Sequence, residues 1–242
     1  MERGEYERLA AVEERGWWFQ GLHDNLTLAL RRAAARPDCV LLDAGCGTGG
    51  LLRSLARDWP QSRRFGIDLD PLAAAIARGK SGAAIAVAST AALPFPAASL
   101  DAVFSVDVLC HRGVDADATL RSIRGCLKPG GVAIFNLPAY RWLLSGHDLA
   151  VDNVRRFGRA EVKALLQSAG FARVELRSWN ALLFPLMLAQ RLTHRSATSD
   201  VALLPAPVER FFRGVVALET RLAATGLRFS FGGSILATAV KP

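Results

Sequence analysis

The sequence is poor in the residues that build cross-linked, metal-bound or membrane-spanning proteins. Its 242 residues include four cysteines (Cys39, Cys46, Cys110 and Cys126), and no two of them form a C-x-x-C pair. A disulfide framework and a structural zinc site are therefore not expected. No apolar run reaches the roughly 18–20 residues that a spanning helix needs, and the charged N-terminus excludes the apolar core of a secretory signal. We expect a soluble, cytoplasmic protein.

Negative charge is scarce in one part of the chain. The net charge is +8, and residues 141–242 carry +7 of it, whereas residues 1–140 are nearly balanced. A uniformly basic chain would favour non-specific nucleic-acid binding, but this asymmetry predicts a single basic face. We therefore expect no specific nucleic-acid partner. An anionic acceptor, or peripheral contact with an anionic membrane, suits such a face better.

Short apolar runs alternate with helical stretches from Pro37 onward, which predicts a doubly wound α/β sheet. Residues 1–36 are predicted to form an N-terminal helical lid, and residues 37–242 the main domain. Residues 180–231 are too long for an ordinary connection and are predicted to be a substrate-side helical insertion before the last strand. Seven strands are expected: Cys39–Asp43, Arg64–Asp68, Ala83–Ala88, Leu100–Val106, Gly131–Leu137, Ala172–Trp179 and Ser234–Lys241.

The strongest local motif, DAGCGTG at Asp43–Gly49, follows the first predicted strand and opens a helix. Its alternating glycines allow a tight turn and a close approach of the backbone to a ligand. About 20 residues later Asp68 ends the second strand, where a carboxylate can accept both hydroxyls of a ribose. The loop is not the G-x-G-x-x-G of dinucleotide sites, and Asp43 would repel a phosphate. We therefore expect a nucleoside ligand that carries an ammonium group.

Four stretches, in this order and spacing, resemble the class I S-adenosylmethionine-dependent methyltransferases. They are DAGCGTG, GIDLD (Gly66–Asp70), ALPFPAASLDAVFSVDVLCH (Ala92–His111) and LRSIRGCLKPGGVAIFNLP (Leu120–Pro138). The resemblance covers residues 37 to about 180 and implies a Rossmann-like fold. It also implies S-adenosylmethionine as cofactor, S-adenosylhomocysteine as product, and no metal.

The resemblance assigns roles to residues along the strand ends. The loop would hold the methionine part of the cofactor, Asp68 its ribose and Leu69 one face of its adenine. Family members usually carry Asp after the third strand, but this chain has Ser89 and Thr90, which implies a weaker adenine contact. Asp107 would lie near the transferred methyl group or the methionine part. The cofactor set is Asp43, Gly45, Cys46, Gly47, Gly49, Asp68, Leu69, Ser89, Thr90 and Asp107.

Two histidines are candidates for a general base on the acceptor side. His147 has Asp148 beside it, and an adjacent carboxylate can orient an imidazole. His111 opens the loop after the fourth strand. Methyl transfer depends mainly on alignment and exclusion of water, and it needs a base only where the acceptor keeps its proton. His147, His111 and Asp148 therefore form the predicted catalytic set.

The flanks resemble a bacterial subgroup associated with glycan, lipid or secondary-metabolite pathways. Trp18 belongs to the aromatic cluster that suggests this, and Arg155 and Arg156 are expected to anchor an anionic group of the acceptor. The apolar residues from Trp179 to Leu188 are read either as a cap helix or as the wall of an acceptor pocket. The expected acceptor is a small or lipid-linked molecule, methylated on oxygen, nitrogen or carbon.

Two other functions stay open. An RNA methyltransferase would suit the high pI, but an Asn/Asp-Pro-Pro-Tyr type of motif is missing after the fourth strand, where this chain has Val106-Asp107-Val108-Leu109. A catalytically silent binding subunit would not be expected to keep the glycine loop and Asp68. The chain is expected to be a monomer or a homodimer.

Overall fold

Seven strands form one sheet in the order β3-β2-β1-β4-β5-β7-β6. The computed structural model describes residues 9–33, 35–193 and 203–242, without the side chains of residue 147 and residues 191–193. Neighbouring strands run parallel from β3 to β5, and β7 runs antiparallel to both β5 and β6. The strands are β1 (Val40–Ala44), β2 (Arg63–Asp68), β3 (Ala84–Val87), β4 (Leu100–Val106), β5 (Leu127–Pro138), β6 (Ala172–Trp179) and β7 (Ser234–Val240).

Helices cover both faces of the sheet, so the predicted seven-stranded α/β fold is confirmed. The described helices are α1 (Trp17–Arg32), α2 (Gly50–Asp58), α3 (Pro71–Ser81), α4 (Ala116–Cys126), α5 (Gly146–Ala150), α6 (Arg159–Ser168), α7 (Phe184–Thr193) and α8 (Ala206–Ala224). A 3₁₀ turn spans Arg141–Leu143, and residues 9–13 are also helical. No helix of the described residues is long and apolar enough to cross a membrane.

Local chemistry accounts for the clearest helix boundaries. Asp70 caps the start of α3 by accepting hydrogen bonds from the backbone N–H groups of Leu72 and Ala73, and Pro71 occupies the first turn. Gly82 ends the same helix in the left-handed conformation. Asp115 caps α4 in the same way, through Ala118 N–H. Such caps satisfy backbone donors that have no partner inside the helix, and they fix where these two helices begin.

Two hydrophobic layers hold the helices to the sheet. On one face α4 and α6 pack against the sheet through residues such as Leu120 and Leu166. On the other face α1, α2 and α8 pack together, with Leu26 and Val216 among the buried residues. The sheet is therefore buried on both sides, which explains the continuous apolar runs of its central strands.

The segment predicted as an insertion contains α7 and α8, and α8 lies along α1. The Asn25 side chain donates to Thr220 Oγ1 over 3.0 Å, and Arg32 donates to the carbonyl of Ala223. Leu22, Leu26 and Leu30 of α1 pack on a face of the sheet, while Glu13, before α1, accepts a hydrogen bond from the Thr48 hydroxyl of the glycine loop. The role of the N-terminal part as a lid remains a prediction.

Candidate functional site

The predicted cofactor residues meet at one edge of the sheet. The loop Asp43–Gly49 follows β1, Asp68 ends β2, and Asp107 follows β4. These strands are parallel neighbours, so their carboxyl ends share an edge, where ligands of open α/β sheets bind. Residues that are 64 positions apart in sequence therefore border one cleft.

Asp43 carries a buried carboxylate with an unused oxygen. Only 2% of the residue is exposed, and its Oδ1 has no hydrogen-bond partner among the described residues. Burial, together with the negative charges of Glu13 and Asp68, raises the pKa of this carboxyl to about 8. A buried acid without a partner is costly unless a ligand completes it. A cationic group bound in the cleft would do so.

The backbone at Gly47 leaves room for a ligand beside Asp68. Gly47 has a φ of 51°, and a Cβ added there would meet no atom within 4 Å. Its N–H donates to Asp68 Oδ2 over 2.8 Å, while Asp70 N–H donates to Asp68 Oδ1 over 2.9 Å. Each carboxylate oxygen retains acceptor capacity for a hydroxyl group. Both features fit an amino-acid-bearing nucleoside.

Asp107 begins a hydrogen-bonded chain that local sequence patterns do not reveal. Asn136 of β5 donates to both Asp107 oxygens over 3.0 Å, and Asn136 in turn accepts from the indole N–H of Trp179 over 2.7 Å. Burial raises the pKa of Asp107 to about 7, although the Asn136 hydrogen bonds act in the opposite direction. An asparagine inside an apolar strand is the signal that the sequence offers for such a partner.

The comparisons with known proteins identify this part of the chain. Residues 42–135 match the family model described as a methyltransferase domain. This stretch is a methyltransferase domain. The match confirms the predicted resemblance to the class I methyltransferases, whose cofactor is S-adenosylmethionine.

Two curated relatives and one solved structure illustrate the similarity. A malonyl-[acyl-carrier protein] O-methyltransferase of Dechloromonas aromatica is 30% identical over 62% of this chain and 59% of its own length. A cycloartenol-C-24-methyltransferase of Arabidopsis thaliana is 33% identical over 46% of this chain and 33% of its own length. The chain thus spans less than two thirds of these relatives. A methyltransferase solved with the Haloferax volcanii Trm112 activator has a TM-score of 0.62, 23% identity and 98% coverage of each chain.

Within the methyltransferase domain, the other predicted cofactor residues differ in what they offer. Leu69 is 72% exposed at the sheet edge and free to cover a ring. Ser89 is exposed and accepts from Ala91 N–H, whereas the hydroxyl of Thr90 lies 3.1 Å from that of Thr119 on α4. Cys46 packs in a buried cluster with Leu52 and neighbouring residues. Its thiol is therefore part of the core, and its backbone shapes the loop.

Arg156 does not present an open anchor for an acceptor, which corrects the prediction. Its guanidinium holds the Asp148 carboxylate through two hydrogen bonds of 2.6 and 3.1 Å and donates to the Ala139 carbonyl over 3.0 Å. Both side chains of the pair are almost fully buried. The Asp148 carboxylate also accepts from the backbone and hydroxyl of Ser145. This buried ion pair fixes the connection after β5. It leaves the Arg156 guanidinium no free pair of N–H groups with which to bind an anionic acceptor.

The remaining catalytic and acceptor candidates lie in different surroundings. His111 is half-buried, and burial lowers the pKa of its imidazole, although the carboxylates of Asp152 and Asp68 oppose that shift. The side chain of His147 lies outside the described part, so its pairing with Asp148 stays a prediction. Arg155 is exposed and donates to the Val114 carbonyl. Trp18 packs on Trp179, with ring centroids 5.7 Å apart.

An aromatic row extends from the same edge of the sheet. Tyr140 contacts Trp142 and Phe184, and Phe184 contacts Phe231, with ring centroids 5.4 to 5.9 Å apart. Tyr140 follows β5, Phe184 follows β6, and Phe231 precedes the antiparallel β7, so all of these elements deliver their rings to one end. We call Tyr140, Trp142, Phe184 and Phe231 the aromatic row. No local motif marks Tyr140 or Phe231 in the sequence.

Proposed function

We propose that the protein transfers a methyl group from S-adenosylmethionine to oxygen, nitrogen or carbon of a small-molecule or lipid- or glycan-linked acceptor with an apolar part. The aromatic row carries this proposal, because it borders the sheet edge where Asp43 and Asp107 lie. Trp142 is 64% exposed and Phe231 is 48% exposed, an arrangement suited to contact with an apolar chain.

The cofactor would be held by residues that have unused capacity. The buried Asp43 would accept from the cofactor's ammonium group, and Asp68 would accept from its ribose hydroxyls. Leu69 would cover the adenine, and the open space at Gly47 would admit the methionine part. When bound, S-adenosylmethionine supplies an electrophilic methyl group on a sulfonium centre. The protein's own contribution is alignment of the acceptor and exclusion of water.

An acceptor that keeps its proton would need a base near Asp107. His111 is a suitable candidate, because the lowered pKa of its imidazole keeps the ring neutral at physiological pH and a neutral imidazole accepts a proton. His147 remains a second candidate. Asp107 accepts hydrogen bonds from Asn136 and has a pKa of about 7, so its charge also changes near physiological pH.

The names of the relatives support an apolar or carrier-linked acceptor. One relative is named for malonyl-[acyl-carrier protein] and the other for cycloartenol. The excess positive charge of residues 141–242 is the feature that would favour the RNA alternative. The aromatic row offers a flat apolar surface, and Arg141, next to Trp142 of the row, is paired with Glu161 and so is not a free cation for an RNA phosphate.

Methyl transfer to a panel of simple acceptors tests the proposal. Tritium-labelled S-adenosylmethionine would be incubated with decanoic acid and decylamine, with butyric acid and butylamine as short-chain counterparts, and with bulk RNA. We expect label in the long-chain acceptors only. Trp142→Ala and Phe231→Ala should raise KM for them at least about tenfold. Phe211→Ala, an equally exposed aromatic on α8, is the matched control. Label in RNA, or equal KM for the variants of the row and the control, would overturn the proposal.

A further inference from the structure

Helix α8 has an outward face that combines bulky apolar side chains with arginines. Phe211 is 65% exposed and Leu218 is 51% exposed, and at a spacing of seven they share one side of the helix. Leu203 and Leu204, just before the helix, are each 40% exposed. Monomeric soluble proteins rarely leave such residues side by side without a partner.

Two arginines of α8 lie on the same outward side. Arg210 and Arg221 are exposed. On a helical wheel, both lie about 70–90° from the stripe of Phe211 and Leu218, next to each other on one side of it. The stems of arginine side chains can lie along an apolar layer while their charged ends reach anionic groups.

Both carboxylates of α8 are turned away from this face. Glu219 is buried and accepts from the backbone N–H groups of Ala181 and Leu182. Glu209 accepts from the backbone N–H groups of Trp17 and Leu204. The helix therefore presents positive and apolar groups outward and uses its negative groups inside the fold. An even distribution of charge, usual for a solvated helix, is absent from α8.

From this geometry we infer that the outer face of α8, which we call the α8 face, docks on an anionic lipid bilayer. Such a bilayer offers an apolar layer for Phe211 and Leu218 and a negatively charged surface for Arg210 and Arg221. A helix of this kind lies in the interface and does not span it, in agreement with the lack of a spanning helix among the described residues. The inference does not depend on which acceptor the protein methylates.

Sedimentation with vesicles tests the α8 face. Vesicles of phosphatidylglycerol and phosphatidylcholine would be compared with phosphatidylcholine alone, at low and at high salt. We expect the wild type to bind the anionic vesicles at least about tenfold better, and to lose that preference at high salt. The double variant Phe211→Ser with Leu218→Ser, and the double variant Arg210→Glu with Arg221→Glu, should each weaken binding at least about tenfold.

Arg121→Glu provides the matched control, because Arg121 is an exposed arginine of α4, a helix on the opposite face of the sheet. Circular dichroism and S-adenosylmethionine affinity should stay unchanged in all these variants. Wild-type protein that ignores anionic vesicles, or α8 variants that bind like Arg121→Glu, would overturn the inference. If the wild type ignores vesicles but forms a dimer in the ultracentrifuge, and the Phe211→Ser with Leu218→Ser variant is a monomer, the α8 face would instead bind a second copy of the chain. Binding to bulk RNA alone would overturn it as well.

Discussion

The side-chain amide nitrogen of Asn136 lies 3.0 Å from each carboxylate oxygen of Asp107, and the Asn136 carbonyl oxygen accepts from the indole of Trp179. The three residues come from β5, from the end of β4 and from the end of β6. This chain of hydrogen bonds therefore ties the ends of β4 and β6 to β5 at one edge of the sheet. It also sets the charge of Asp107, because hydrogen bonds from Asn136 favour the ionised form while burial opposes it.

Replacing Asn136 should make stability more dependent on pH. The pKa of Asp107 is raised to about 7 in the fold, so the folded state favours the protonated acid, and this stabilisation is lost as the pH rises from about 4 through 7. Asn136→Leu removes hydrogen bonds to the ionised form. We expect it to cost about 1 kcal/mol more at about pH 8 than at about pH 5, because only the pH range above the wild-type pKa, at about 1.4 kcal/mol per unit, contributes to the difference; urea unfolding measures it. Asp107→Asn combined with Asn136→Leu should lack that difference. An equal cost at both pH values in Asn136→Leu alone would disprove the coupling.

Valine substitutions at Gly47 and Gly82 distinguish the effect of backbone strain from the steric exclusion of a ligand. Gly47 and Gly82 both have positive φ and open space where a side chain would begin, but only Gly47 lies in the cofactor loop. Gly47→Val and Gly82→Val should each destabilise the fold by about 1–2 kcal/mol. Only Gly47→Val should abolish S-adenosylmethionine binding in a calorimetric titration. Normal binding by Gly47→Val, or equal loss in both variants, would contradict the role given to the loop.

The two adjacent arginines should differ strongly in their effect on stability. Arg156→Met leaves the buried Asp148 carboxylate without its partner, and breaking a buried pair costs about 3–5 kcal/mol. Arg155→Met changes an exposed side chain and should stay within about 0.5 kcal/mol of the wild type. The free energy of unfolding in urea distinguishes them. Similar values for the two variants would mean that the Arg156–Asp148 pair does not hold this connection together.

His111 should act on the rate and not on cofactor affinity. With a long-chain acceptor from the panel, His111→Ala should lower kcat by roughly 10²–10⁴-fold if the imidazole is the base, and leave the Kd for S-adenosylmethionine unchanged. Because burial lowers the pKa of His111, the wild-type rate should hold until the pH falls below about 6.5, the ordinary histidine value. His147→Ala tests the second candidate in the same assay. If both variants keep the wild-type kcat, transfer proceeds by alignment alone.

Local sequence pattern predicted the parts of this molecule that depend on short stretches of chain. Leu100–Val106 and Ala172–Trp179 are strands with the predicted bounds. Their continuous or alternating apolar residues mark a strand within a short stretch of sequence. The glycine loop and Asp68 could also be recognised from short stretches of sequence. The partners of polar side chains were not predictable in this way. Asp148 and Arg156 meet across a loop, and Asn136 and Trp179 meet across 43 residues, so only the tertiary fold shows that Arg156 is occupied.

The insertion shows the same limit on a larger scale. Its composition predicted apolar helical structure but not that α8 would pack along α1, since that contact joins residues 195 positions apart, such as Asn25 and Thr220. Nor could the sequence show that Glu209 and Glu219 turn inward, because each binds backbone groups from distant segments. The outward charge of α8 is therefore a property of the fold, although the net excess was visible in the composition.

The affinity for S-adenosylmethionine at two pH values shows whether Asp43 binds the ammonium group of the cofactor. Burial raises the pKa of Asp43 to about 8, and a bound ammonium group favours the ionised carboxylate. Below that pKa the affinity should therefore fall about tenfold for each pH unit. Calorimetry at about pH 6.0 and 7.5 should show at least about tenfold tighter binding at the higher pH, with proton release. Asp43→Asn, of the same shape, should bind weakly and equally at both. Binding by the wild type that is independent of pH, or wild-type affinity in Asp43→Asn, would contradict the account.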